Sequence, residues 1–120
     1  MSEYAVTLPA LPSMVGVARH AVAAIVGDDV GAEAAVRIVS ELATNAIRHA
    51  TDASGGSFVL SIVELEGVLR VAVDGPGTAT SWDGQDGDFG RGLVIVDALA
   101  DKWGTDVHED GFIWWAEIWR

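Results

Sequence analysis

Glu41-Leu42-Ala43-Thr44-Asn45-Ala46-Ile47-Arg48-His49-Ala50 sets a carboxylate, a carboxamide and an imidazole at i, i+4 and i+8 of a stretch with helical periodicity. Side chains four residues apart are neighbours on a helix, so Glu41, Asn45 and His49 form one polar stripe. A carboxamide oxygen can ligate a hard cation such as Mg²⁺, and a carboxylate can orient or deprotonate a nucleophile. The stripe is therefore a candidate edge of a nucleotide–metal site.

The helix carrying it is predicted over residues 32–50. Stepping at 100° per residue puts Ala32, Val36, Val39, Ala43, Ala46, Ile47 and Ala50 on the core face. Arg37, Glu41, Asn45 and Arg48 fall opposite, with Leu42 and His49 on the flank. Upstream, a helix over 15–26 is entered through Leu11-Pro12-Ser13, with Ser13 as its cap, and is broken at Gly27-Asp28-Asp29. His20, on that helix, reads as a surface residue.

Downstream, 51–57 is a Gly/Ser/Asp loop, and β-rich runs at 58–65 and 69–73 flank the turn signal Glu66-Gly67. Residues 74–92 are rich in glycine and aspartate and lack periodicity, which marks a lid or binding loop. Helical spacing returns over 93–103, with Gly104 as the C′ glycine. Asp110-Gly111 then joins 107–109 to 112–119 as a hairpin. The order of elements predicts an α+β, two-layer sandwich, its sheet antiparallel-rich and mixed, with helices on one face.

At 120 residues the chain reads as a single domain over 1–120, and 50% apolar with 21% charged residues is ordinary globular composition. No apolar run approaches the roughly 18–20 residues of a membrane span, and the start lacks a signal pattern. The absence of cysteine excludes disulfides and thiolate chemistry, so a cytoplasmic setting is expected. A net charge of −11 argues against gripping nucleic acid. It also requires that any phosphorylated ligand be met by a metal ion or by oriented N–H groups.

Two further motifs carry chemistry. In Val73-Asp74-Gly75-Pro76-Gly77 a strand runs into glycines that admit close backbone approach, beside an aspartate able to accept from an exocyclic amine. In Gly90-Arg91-Gly92-Leu93 glycines precede a helix whose N-terminal N–H groups favour an anion, and Arg91 adds a charge. Taken singly, the three motifs read as a solvated helix face, a turn and a loop hinge.

Their order and spacing are more specific. Together they resemble the Bergerat ATP-binding fold of histidine-kinase catalytic domains and type II topoisomerases. The resemblance runs from Ser13 onwards and is strongest to the small anti-sigma-factor serine/threonine kinases of actinobacteria. The family's N-box resembles the stretch from Ser40 to Ala50, and its second glycine box with the following helix resembles that from Gly90 to Gly104.

The resemblance implies ATP and Mg²⁺ as ligands. It gives Asn45 the role of holding Mg²⁺, Glu41 that of general base, and Arg48 and His49 places near the phosphates. Gly75 and Gly77 match the first glycine box, with Asp74 towards the adenine. Gly90, Arg91, Gly92 and Leu93 close an ATP lid spanning about 75–92. Implied partners are a sigma factor and/or an anti-sigma-factor antagonist, and a second copy of the chain in a homodimer; nucleic acid and membrane are not expected. A histidine-kinase fragment is disfavoured, since the chain has no room for a dimerisation helix pair.

Two departures fall on the adenine side. The family pattern is Asp-x-Gly-x-Gly, whereas here the residue two before Gly75 is Val73 and the aspartate is Asp74. Strand side chains alternate, so Asp74 recovers the adenine contact only through a bulge, and a bulge is the expectation. Phe112 stands where the family often has a threonine. The alternative reading is a pseudoenzyme, a protein-binding module with weak or lost nucleotide binding. Trp114, Trp115 and Trp119 put aromatic groups on both faces of the last strand, as either an interface or an edge of the core.

Overall fold

Leu69, Val71 and Val73 are buried while Arg70, Ala72 and Asp74 between them are not, a period of two that makes a strand with one packed and one open face. The computed structural model describes residues 2–49, 56–76, 87–108 and 111–120, the side chains of His49, Pro76 and 87–92 lying outside that description. Its elements are β1 (Ser2–Pro9), α1 (Met14–Val26), α2 (Ala32–His49), β2 (Ser57–Leu65), β3 (Val68–Pro76), α3 (Gly87–Leu99), β4 (Lys102–His108) and β5 (Gly111–Trp119). The sheet order is β1-β2-β3-β5-β4, and every neighbouring pair is antiparallel, so the sheet is simpler than the mixed one expected. β1, which the sequence reading omitted, pairs along β2 from Ser2↔Glu64 to Pro9↔Ser57.

The helices cover one face, as expected. Phe58, Leu60 and Ile62 of β2, Leu69, Val71 and Val73 of β3, and Phe112, Trp114 and Ala116 of β5 are all buried there. Each large apolar side chain so buried contributes about 1.5–3 kcal/mol relative to exposure. α1 packs through Ala18, Val22 and Val26, spaced four apart. Ser13 makes no side-chain cap; Met14 and Val15 donate instead to the carbonyls of Leu11 and Pro12, at 2.8 and 3.3 Å. Gly27 ends α1 at φ +66°, its N–H returning to the Ala23 carbonyl at 2.9 Å.

α2 is the central helix, and its buried arc is wider and differently centred than its periodicity indicated. Ala35, Ile38 and Leu42 are buried to 1% exposure or less, whereas Ala32 and Val36 are only half-buried. The helix touches the sheet beneath it and both α1 and α3 beside it, so flank positions enter the core. Small residues let it approach closely: a Cβ at Gly75 would lie 3.0 Å from the Cβ of Ala46.

The last helix required correction. Trp103 and Gly104 belong to β4, not to a helix ending at a C′ glycine. α3 finishes when Ala100 donates to Val96, after which Asp101 donates to the Glu117 carbonyl at 2.9 Å and joins the sheet. Gly104 sits under the indole of Trp115, whose Cζ2 would be 2.7 Å from an added Cβ. Trp103 misled the periodicity because a strand residue facing the helices also points inward; its Nε1 donates to Asp97 at 2.7 Å.

Candidate functional site

On α2 the candidate stripe rolls from solvent into the core. Arg48 is exposed, Glu41 is half-buried, and Asn45 is buried at 2% exposure. The expectation that Asn45 faces away from the core is therefore corrected. It is the one buried polar side chain among the described residues, and its Nδ2 has no hydrogen-bond partner among them. An amide left so costs about 1–3 kcal/mol, which a phosphate oxygen, or a cation at the turned amide, would relieve. Thr44, next to it, is satisfied locally, its hydroxyl donating to the Ser40 carbonyl at 2.7 Å.

Glu41 lies one turn before Asn45 and lines a groove of about 890 Å³ shared with Arg19, Arg37, Ser40 and Leu99. Asn45 is not among the groove's lining residues. Glu41 is therefore reached from the groove, whereas Asn45, one turn on, is buried. The backbone of His49 ends α2, and its side chain falls outside the description.

At the end of β3 the bulge does not form. Register with β5 runs unbroken from Val68↔Trp119 to Pro76↔Gly111, and Asp74 also pairs with Val59. Alternation therefore turns Asp74 to the open face, where its Oδ1 meets His108 Nε2 at 3.2 Å. Val73 occupies the helix side, fully buried between Leu60 and Trp114. Gly75 lies opposite Phe112, also fully buried, whose ring centre is 5.4 Å from that of Trp114. Asp74 is thus not brought together with Asn45. His108 was missed because its partner is set by the pairing of three strands, which leaves no local sequence signal.

The third motif is also relocated. α3 begins at Gly87, so of Gly90, Arg91 and Gly92 only Gly90 belongs to the first turn, whose N–H groups lack intrahelical acceptors. Leu93 is half-buried against the core. Gly77 with most of the expected lid, Ala50 and the turn residue Asp110 lie outside the described residues.

The fit to the expected ligands is uneven. Among the described residues no group of three or more His, Asp or Glu could hold a metal ion. Asn45 would be a cation's protein ligand, which suits Mg²⁺, an ion that takes few protein ligands beside phosphates and water. On the adenine side, no described carboxylate is buried. No described helix is long and apolar enough to cross a membrane.

Residues 31–113 match the family described as histidine kinase-, DNA gyrase B-, and HSP90-like ATPase. Among solved structures, the chain is similar to the RsbU and RsbW domains of Rv1364c from Mycobacterium tuberculosis. Identity is 22% and the TM-score 0.73, over 98% of this chain and 32% of that one. That likeness is one of fold, and this chain spans about a third of that structure's length. No curated protein matches the sequence.

Proposed function

Because the chain belongs to the histidine kinase-, DNA gyrase B-, and HSP90-like ATPase family, we propose that it is an ATP-binding regulator of the anti-sigma-factor type, acting in the cytoplasm. Its partners on this reading are a sigma factor and an anti-sigma-factor antagonist, the latter a substrate for phosphorylation on serine or threonine. The observation that carries the proposal is Asn45, an amide buried at 2% exposure with Nδ2 unpartnered among the described residues. Folding leaves such a group unsatisfied at a cost of about 1–3 kcal/mol, and a ligand that fills its hydrogen bond recovers that cost.

In this reading Asn45, its amide turned to present Oδ1, would hold Mg²⁺ for the triphosphate, with Arg48, His49, Gly77, Gly90 and Arg91 on the phosphate and lid side. Bound Mg-ATP supplies the phosphoryl group. Glu41 stands beside an open groove, so a hydroxyl entering there meets a carboxylate able to take its proton. Titration of ATP with and without Mg²⁺ tests the site. Binding should depend on Mg²⁺ and fall about tenfold or more in Asn45→Ala; no binding at millimolar ATP would remove the proposal.

A second reading, a partner-binding module without turnover, is favoured by one observation: Val73 fills the place of the base-reading carboxylate. Transfer of labelled phosphate to an antagonist separates the two. We further propose homodimerisation through the open sheet face, where Arg70 lies 4.5 Å over the ring of Trp115 and Trp119 is 57% exposed. A monomer mass in light scattering at high concentration would count against it.

A further inference from the structure

We infer that nucleotide recognition in this chain does not read the purine edge, so that affinity is set on the triphosphate side and is nearly indifferent to the base. The inference rests on the nucleotide-binding reading above and deepens it. Adenine offers an amine donor at position 6, whereas guanine and hypoxanthine offer a carbonyl acceptor there. A buried carboxylate rewards the first and repels the others, because its unpaired lone pairs would face an oxygen.

This site has no such carboxylate among its described residues. The β3 register turns Asp74 to the opposite face of the sheet, and His108 holds it there at 3.2 Å. The helix side at the end of β3 carries Val73, Phe112 and Trp114, all fully buried, with Ala46 pressed against Gly75. None of these side chains can accept a hydrogen bond. Apolar and aromatic contact does not distinguish one purine from another through its edge. The buried polar atoms at this end among the described residues are Asn45 Nδ2, one helical residue from Ala46, and the Trp114 indole Nε1; both are donors, so neither accepts from the adenine amine.

The test is calorimetric titration of the whole chain with ATP, GTP and inosine triphosphate, each with Mg²⁺. The three dissociation constants should agree within about threefold. A preference of about tenfold or more for ATP would overturn the inference while leaving the nucleotide site standing. Binding by none of the three would overturn both together. Asp74→Asn, its folding checked by circular dichroism, should bind ATP as the parent does; a tenfold loss would show that the aspartate reads the base after all.

Discussion

Asn45 near the C-terminal end of α2 and Asp74 near the end of β3 are both polar residues in motif positions, and the fold treats them oppositely. Asn45 is turned inward, buried and without a partner for Nδ2 among the described residues; Asp74 is turned outward, about half exposed, and paired with His108. One is a cost that a ligand's hydrogen bond would offset, the other a surface contact of small worth. A matching residue type at a motif position is therefore weaker evidence than the face on which the fold displays it.

The same contrast divides the sheet, and substitutions can sharpen it. Trp114 on the helix face and Trp115 on the open face are sequence neighbours, yet only Trp114 is fully buried. Trp114→Ala should cost about 3–5 kcal/mol in urea unfolding, and Trp115→Ala clearly less. Equal losses would mean that the open face is covered in solution.

Gly104→Ala should follow at about 1–3 kcal/mol, since three indole atoms of Trp115 lie within 3.1 Å of the added Cβ. A neutral result would show that this indole can lift from the open face without loss.

Asn45→Leu should stabilise the protein by about 1 kcal/mol while abolishing Mg²⁺-dependent nucleotide binding. Destabilisation instead would mean that Asn45 is a structural amide with a partner, and would break the comparison at its centre.

The smallest effect is expected from His108→Ala. Its contact with Asp74 joins side chains 40% and 46% exposed, so unfolding should shift by no more than about 1 kcal/mol, with nucleotide affinity unchanged.

Periodicity in the sequence identified α1, α2, the β2–β3 hairpin and β5, because an amphipathic helix or half-buried strand writes its own repeat. It also placed Glu41 and Asn45 four apart on one helix, a geometric necessity of 3.6 residues per turn. It did not mark β1, an edge strand whose Tyr4 and Val6 remain substantially exposed and whose order comes from pairing with β2. Nor could it separate a helix from a strand at Trp103, where either conformation turns the side chain to the core.

What only the tertiary structure decided is which side each candidate faces. α2 lies against the sheet and against two helices, and that crowding carries Asn45 inside although its own helix is polar there. The orientation of Asp74 follows from an unbroken ladder with β2 and β5, set by register with residues 15 and 39 positions away, from Val59 to Asp74 and from Asp74 to Ile113. Local sequence contains the polar groups; long-range packing and register determine which of them meet a ligand.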